Sequence, residues 1–412
     1  MAGYEEFAPL IARMAAGEPD LLVPGLPCAF EETGGSSAGA KLIPYTPALL
    51  AAFRRALLPW LDDLAATWPA IATGRAWWSI SPAARAPRQT AAGLPIGLGG
   101  DAAYFGAELA PHVLATLAVP PEVGALAEVA QWRAATARHL EQCADLALVS
   151  VWSPTFLLEF ADHLRVPPVL ISCWDQAASR PWAEAVRARF PQSVVQGKGL
   201  LATEAVVSIP LSGWDWPVLA PDAGYFEFVD DDGTACEASD TRVGAEYGLL
   251  LTTAGGLYRY AIGDRVRVRG FAGEAPLLEF IGRDHTVDLC GEKLGEAFVL
   301  AALAPLGLRF ALLAPRADGA RAYSLHVDAA EVAPEACAAL AAAAERCLAA
   351  NPQYAYARRL GQLAPLDVVR VAGALEAWLR RGTARGQRLG DIKPPVLLAE
   401  PFVSAGAWAG RL

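Results

Sequence analysis

The stretch Glu32-Thr33-Gly34-Gly35-Ser36-Ser37-Ala38-Gly39-Ala40-Lys41, running into Leu42-Ile43-Pro44, decides how the rest of the chain is read. Three glycines and three hydroxyl side chains fall within seven residues, with one lysine just beyond. Glycines let backbone N–H groups turn into one concavity and hydroxyls add short donors, so the segment suits a chain of phosphates. Two other patterns overlap it. Gly35-Ser36-Ser37-Ala38-Gly39 is a literal G-x-S-x-G, which as a nucleophile elbow needs a strand before the serine and a helix directly after it. Here an extended Lys41-Leu-Ile-Pro44 follows and residues 27–32 read as a poor strand, so the hydrolase reading is demoted. Gly34 and Gly39 have P-loop spacing, but Ala40 intervenes before Lys41, no Ser or Thr follows it, and no strand-to-helix context is evident. A plain surface loop is the competing structural reading.

Composition narrows the alternatives. A chain of 412 residues with 54% hydrophobic and 19% charged residues is globular and long enough for two domains. Its net charge of −10 argues against nucleic-acid binding, which needs clustered Lys and Arg on phosphates. The seven cysteines form no C-x-x-C pair, so neither a disulfide framework nor a zinc site is expected, and a reducing cytoplasm fits. The acidic start Met1-Ala-Gly-Tyr-Glu-Glu lacks the form of a signal peptide, and no apolar run reaches membrane-spanning length.

Arginine outnumbers lysine thirty to four. The four lysines, Lys41, Lys198, Lys293 and Lys393, all lie beside glycines or prolines, away from ordinary helix faces. Lysine offers a compact, mobile ammonium that the arginine fork does not imitate, so the four suggest a shared site, set against chance scatter of a rare residue.

Apolar spacing predicts a helix over 47–68 and a strand over 76–80. Residues 86–106 read as a long loop beside a substrate pocket. A second long helix is expected over 122–143. Strands at 146–151, 168–173 and 193–196 then alternate with helices at 154–164 and 181–190, which implies a parallel α/β layer. From 206 to 280 short strands dominate: 206–210, 225–229, 247–253, 265–269 and 277–280. Beyond Gly282-Arg283-Asp284 a smaller α+β unit follows, with helices 293–304, 334–350 and 373–381 and strands 308–314, 321–328 and 365–371. Lys393 ends the series in a loop that could swing. The expected class is α/β, with mixed α/β and β subregions.

Two further segments carry site chemistry. Gln196-Gly-Lys-Gly-Leu-Leu-Ala-Thr203-Glu204 offers a hydroxyl to phosphate and a carboxylate to Mg²⁺, a hard cation. Thr252-Thr-Ala-Gly-Gly-Leu-Tyr-Arg-Tyr-Ala-Ile-Gly-Asp264 ends in an aspartate able to accept both hydroxyls of a ribose, or, as the plainer reading, to cap its own turn. Arg283 would add a ribose or phosphate contact.

Taken in order, these segments resemble the adenylate-forming superfamily, and within it the Gretchen Hagen branch of auxin-responsive acyl acid amido synthetases and their bacterial relatives. The match rests on Thr33–Pro44, Gln196–Glu204, Gly256–Asp264, Phe280–Asp284 with Gly291-Glu-Lys-Leu294, Asn351–Arg358 and Gly390-Asp-Ile-Lys-Pro394. Any one of these is unspecific; the ordered set covers most of the chain. The resemblance implies a large N-terminal adenylate-forming domain, residues 1–284, that binds ATP and the acyl acid. A smaller, mobile α+β C-terminal domain, residues 285–412, would rotate near Asp284. It implies ATP and Mg²⁺ as cofactors. Gly35, Ser36, Ser37, Gly39 and Lys41 would serve the phosphates, with phosphate contact and loop anchor equally open for Lys41. Ala202, Thr203 and Tyr258 would complete the nucleotide site, Thr203 at the α-phosphate, with Asp264 and Arg283 on the ribose. Glu204 would serve Mg²⁺, and Lys393 would neutralise charge at the α-phosphate during adenylation. Two departures stand out: Gly34 replaces a usual hydroxyl residue, and the region before the phosphate loop is short. The implied partners are a small carboxylic acid and an amine or amino acid, with no nucleic acid and no membrane.

An apolar, aromatic acyl pocket is expected from Trp78, Tyr104, Phe105, Trp152 and Trp174, at loops and strand ends where open α/β sheets bind ligands. Core packing is the plainer reading of each ring. Three function classes follow: an acid–amine ligase, a synthetase passing the same adenylate to CoA or a carrier protein, and a nucleotide-binding module without chemistry.

Overall fold

The computed structural model describes residues 1–33, 41–79, 88–98, 101–126, 128–387 and 389–402. The chain forms two compact units: residues 1–176 with 182–280, and residues 177–181 with 281–412.

In the first unit, Ala29–Glu32 pairs antiparallel with Leu42–Tyr45, Ala29 opposite Tyr45 and Glu32 opposite Leu42. The Thr33 N–H donates to the Lys41 carbonyl at 2.9 Å and closes the neck between the strands. The strand upstream of the glycines corrects the expectation that residues 27–32 are poor strand. Glu31 and Glu32 have weak strand propensity, but pairing on both sides overrides it. A strand, not a helix, follows the segment, so neither a nucleophile elbow nor a P-loop has its required context.

The expected loop over 86–106 is also corrected. Arg88–Gln89 pairs with Pro95–Ile96, which pairs in turn with Phe30 of the hairpin. Arg88 bridges Glu32 at 2.7 Å, and the Leu98 N–H donates to Glu31 at 2.6 Å. Short polar strands of this kind carry almost no periodic signal and exist because of their partners.

A parallel sheet runs in chain order through Arg75–Ser79, Leu146–Val151, Leu170–Cys173 and Val194–Gly197. Strand alternation separates two adjacent tryptophans. Trp77 is buried on one face against Phe156 and Phe160, with Trp132 behind them. These rings come from helices Val129–Gln142 and Pro154–Phe160. Trp78 meets Trp60 of helix Pro47–Thr67. That helix has Pro at its first turn and the Thr46 hydroxyl accepting the Leu49 N–H at 3.0 Å, a satisfied N-cap. The second helix begins only at Val129, because Leu126 is extended after a 3₁₀ turn over Pro121–Ala125.

Seven antiparallel strands follow, ordered Ala235–Cys236, Tyr225–Val229, Glu246–Thr252, Tyr260–Ala272, Ala275–Arg283, Val218–Leu219 and Ser208–Ile209. Strand Tyr260–Ala272 is longer than periodicity suggests. Its register slips between Gly248 opposite Arg265 and Leu250 opposite Ala261, so three residues, Ile262 to Asp264, face one. Gly263, at φ +79°, allows the bulge, which re-aims Asp264.

In the second unit, Tyr323–Asp328 pairs antiparallel with Ala311–Pro315 and parallel with Asp367–Val371. Helices Glu296–Leu303, Cys337–Leu348, Pro352–Arg359 and Ala374–Ala384 complete it. Among the described residues no helix is long and apolar enough to cross a membrane.

His326 sits inside this unit, edge-on to Phe402 at 5.1 Å, and its Nδ1 has no hydrogen-bond partner among the described residues. Burial pulls the imidazole down to about 4, with Asp367 opposing only in part. Above pH ~6.5 the ring is neutral whether folded or unfolded. As pH falls below that value the unfolded chain takes up a proton that the folded ring refuses, so stability drops by about 3 kcal/mol towards pH ~4. Denaturant unfolding of wild type and His326→Leu across pH ~7 to ~4 checks this. The variant is expected to lose less stability on acidification, and parallel curves would refute the assignment.

Candidate active site

Of the sequence-derived site, Gly35, Ser36, Ser37 and Gly39 lie outside the described residues. The walls of the hairpin that carries them are described, and they gather the other motifs of the first unit. The Tyr45 hydroxyl donates to the Thr203 carbonyl at 2.6 Å. Thr46 donates to the Ala254 carbonyl at 2.8 Å. A Cβ placed on Gly255 would lie 2.8 Å from the Pro44 carbonyl oxygen, so only glycine permits that approach. The hairpin, the Thr203–Glu204 turn and the Thr252–Tyr260 turn are thereby one assembly.

Ala202, Thr203 and Glu204 occupy a tight turn closed by the Ala202 N–H donating to the Ala205 carbonyl at 2.9 Å and by the Leu201–Val206 bridge. Glu204 is 6% exposed. Its charge reaches both flanking phenols. Burial pushes the Tyr45 hydroxyl well up, with Tyr104, Glu31 and Glu204 adding to it; burial also raises Tyr4, to which Glu5 and Glu204 contribute. Among the described residues no cluster of three or more His, Cys, Asp or Glu could hold a metal. A single buried carboxylate beside a hydroxyl suits Mg²⁺, which keeps waters and takes phosphate oxygens as ligands, and does not suit an all-protein metal cage.

Lys41 lies over the Tyr4 ring, its Nζ 5.2 Å from the centroid. The Tyr4 hydroxyl accepts from the Leu42 N–H at 2.9 Å and donates to the Leu42 carbonyl at 3.1 Å. Two residues before Tyr4, Ala2 forms a β-bridge with Tyr260. The N-terminal helix Tyr4–Ala15 therefore ties the hairpin neck to the aromatic strand.

Tyr258 is half exposed and donates to the Leu22 carbonyl at 3.1 Å. Arg259 holds φ +47°, a strained left-handed conformation, and bridges Glu227 at 2.9 Å. Asp264 is buried at its bulge, 4% exposed. Arg283 is exposed and belongs to the second unit, as does Lys393.

The loop carrying Lys393 is pinned within its unit, which corrects the expectation of a freely swinging loop. Trp378 Nε1 donates to the Lys393 carbonyl at 2.8 Å. Leu313 pairs on both sides of Leu397, its N–H donating to Val396 and its carbonyl accepting from Leu398, each at 2.9 Å. Ile392 is 1% exposed while Lys393 itself is exposed. In the same unit the carboxylate of Glu292, fully buried, accepts from Leu289 and Cys290 N–H groups and from the Tyr323 hydroxyl. Burial works to raise this carboxyl, but those donors hold it below the usual range. The turn it anchors presents Lys293 at φ +46°.

The expected pocket aromatics all gather on the Trp60 side of the parallel sheet. Trp78 contacts Trp60 and Phe105, Tyr104 contacts Tyr45 and Phe53, and Trp152 lies 5.8 Å from Trp174. Phe105 is buried at 3% exposure and acts as a packing residue behind Trp78.

Sequence reasoning missed Tyr4, Tyr45, Thr46, Trp60, Ser150 and Ser172. The two serines had a signal: each is the one hydroxyl in an otherwise apolar parallel strand, LALVSV and LISC.

Comparison with known proteins agrees with the family read from the ordered motifs. The GH3 family N-terminal domain matches residues 1–195 and the GH3 family central domain matches residues 217–283, together more than half of the chain. A probable indole-3-acetic acid-amido synthetase GH3.6 of Oryza sativa subsp. japonica is 34% identical over 149 residues, 32% of this chain and 30% of that protein. Indole-3-acetic acid-amido synthetase GH3.4 of Arabidopsis thaliana is 41% identical over 87 residues, 19% of this chain and 15% of that protein. The matched stretches span about a third or less of these relatives' own length. Among solved structures, AtGH3.15 acyl acid amido synthetase in complex with 2,4-DB superposes with a TM-score of 0.78 at 18% identity. That match covers 96% of this chain and 84% of that one. The mixed α/β fold is that of the acyl acid amido synthetases.

Proposed function

Because the chain belongs to the GH3 family, we propose that it is an ATP-dependent, AMP-forming ligase that activates a carboxylic acid and joins it to an amine, that of an amino acid. The observation that carries this reading is the joining of three motifs in the first unit: Tyr45 to Thr203, Thr46 to Ala254, and Gly255 against Pro44. A hydroxyl-rich hairpin beside a buried carboxylate is a phosphate-and-cation site, and no partner for a serine nucleophile is called on.

In the proposed first step the acid's carboxylate oxygen attacks the α-phosphorus of ATP. The P–O bond to pyrophosphate breaks, leaving an acyl-adenylate. In the second step the amine nitrogen attacks the acyl carbon, the C–O bond to AMP breaks, and the amide nitrogen sheds a proton. The protein's part is positioning and fixed charge. Within the first unit, Thr203 would serve the α-phosphate, and Asp264 and Tyr258 the nucleoside. Lys393 supplies the cation that offsets charge at phosphorus. Glu204 would hold Mg²⁺, which when bound neutralises phosphate charge. All seven cysteines are free thiols, in keeping with a reducing cytoplasm.

Tyr4 contributes by holding the hairpin neck. Tyr4→Phe removes the hydroxyl that serves both backbone groups of Leu42 and is expected to cost about 1 kcal/mol, read as a several-fold rise in KM for ATP with kcat nearly unchanged. An unaltered KM would show that the neck holds itself.

The reading is tested by screening carboxylic acids for acid-dependent pyrophosphate release and weighing the product by mass spectrometry. Parallel reactions with amino acids, hydroxylamine and CoA identify the acceptor that releases AMP. ATP binding with no acid-dependent pyrophosphate release would leave a nucleotide-binding module. Ester hydrolysis abolished in Ser37→Ala with adenylation intact would restore the elbow reading.

A further inference from the structure

Helix Ala374–Ala384 is shaped around the loop that carries Lys393. Trp378 and Gly382 are four residues apart and so share one of its faces. Gly382 is buried, and glycine weakens a helix. A Cβ there would lie 2.6 Å from Ile392 Cδ1 and 3.0 Å from its Cγ1, so the absent side chain leaves room for the buried Ile392. One turn earlier the Trp378 indole is buried, and its single donor, Nε1, goes to the Lys393 carbonyl at 2.8 Å. The helix thus grips two consecutive residues, the side chain of one and the backbone of the next.

The segment after Lys393 returns to the same helix. Phe402 is buried, its ring 6.1 Å from that of Trp378 and 5.1 Å from the imidazole of His326. The guanidinium carbon of Arg381 lies 5.8 Å from the Trp378 centroid and 5.5 Å from the Phe402 centroid, within reach of both rings. Arg381 also donates to Glu400 at 2.7 Å and to the Pro401 carbonyl at 3.4 Å, and Arg385 donates to Glu400 at 2.8 Å. Glu400, Pro401 and Phe402 are therefore a strap, fastened to the helix at each residue in turn.

Ring packing alone does not call for an indole at position 378. A phenylalanine would fill much of the same space but would leave the Lys393 carbonyl without that donor. The Lys393 side chain is exposed, and lysine's four-carbon stem is flexible. How well its ammonium is placed then depends on how firmly its own backbone is held. We propose that Trp378 and Phe402 are positioning residues for the adenylation step. Trp378 fixes the backbone of Lys393, and Phe402, from the strap, fixes the Trp378 indole. The segment past the lysine thereby belongs to the adenylation apparatus, acting through Trp378 with no contact to ATP called on. The inference rests on the reading of Lys393 given above, and the two fail in different ways.

The experiment is a double-substitution cycle on acid-dependent pyrophosphate exchange by the full chain, with the best acid from the screen above. Trp378→Phe is expected to lower kcat about fivefold to tenfold, the worth of one hydrogen bond, with KM for ATP held within about twofold. In the Lys393→Ala background the same substitution is expected to change the residual rate by less than about twofold, because its effect passes through a side chain no longer present. Phe402→Leu keeps an apolar side chain in the strap but removes the ring. It should lower kcat about threefold, again only where Lys393 is present. A merely weakened fold would cut the rate equally in both backgrounds. Equal losses with and without Lys393, an unchanged kcat in Trp378→Phe, or a loss confined to KM overturns the proposal. Should Trp378→Phe fail to fold, the Phe402→Leu cycle decides by the same criteria. Full exchange in Lys393→Ala would instead remove the reading of Lys393, and exchange with no acid would remove the ligase reading; either takes the proposal with it.

Discussion

Lys393→Ala is expected to lower acid-dependent pyrophosphate exchange by about a hundredfold to a thousandfold, the usual worth of one preorganised charge aimed at a developing anion. The backbone around the lysine is set up to keep such a charge in place. Trp378 holds the Lys393 carbonyl, Ile392 is buried, and the following segment pairs with Leu313, while the side chain itself is exposed. Alanine removes the ammonium without disturbing that anchorage, so thermal stability should stay within about 0.5 kcal/mol of wild type. The second half-reaction separates charge from folding. Amide formation from a pre-made acyl-adenylate should survive in Lys393→Ala, since the phosphoryl step has already occurred. Lys393→Arg is expected to restore little, because the guanidinium is larger and spreads its charge over a plane. Full exchange activity in the alanine variant would remove Lys393 from the mechanism.

The second large effect is expected at Glu204. Glu204→Gln keeps the shape and hydrogen-bonding capacity of a buried side chain but removes its charge. It should depress exchange by about a hundredfold and move the Mg²⁺ requirement to higher concentration. The measurement is pyrophosphate exchange across a Mg²⁺ titration. Recovery at high Mg²⁺ marks a metal-holding role, and a loss that no Mg²⁺ concentration reverses marks a different one. The same variant has a second readout in Tyr4 and Tyr45. Both phenols feel the Glu204 charge after the larger influence of burial, so their ultraviolet titration should shift towards lower pH when the charge is gone. An unmoved titration would remove the Glu204 charge from the causes that raise the two phenols.

How legible the molecule was in its sequence follows from the range of each interaction. Helix Pro47–Thr67 was readable because its apolar spacing, leading proline and Thr46 cap are all local. The parallel strands were readable because burial on both faces makes them short continuous apolar runs. Ala29–Glu32 was misjudged because two glutamates oppose strand formation until Leu42–Tyr45 and Ile96 pair with it. The Lys393 loop read as one that could swing because its anchors, Trp378 and Leu313, lie 15 and 80 residues before Lys393 in the chain.

By itself the sequence determined the family and the chemistry available. The order of the hydroxyl-rich hairpin, Thr203–Glu204, Asp264 and Lys393 is a linear property, and so is the scarcity of lysine. Tertiary structure alone decided which groups act together. It put Tyr4 on the hairpin neck across 38 residues, Tyr45 on Thr203 across 158, and Lys198 on Ser150 across 48. Periodicity describes one element's faces at a time, whereas these contacts depend on which faces of distant elements pack together. The physical reason is burial: the phenols, the carboxylate and the ammonium have meaning only where water has been removed and their partners have taken its place.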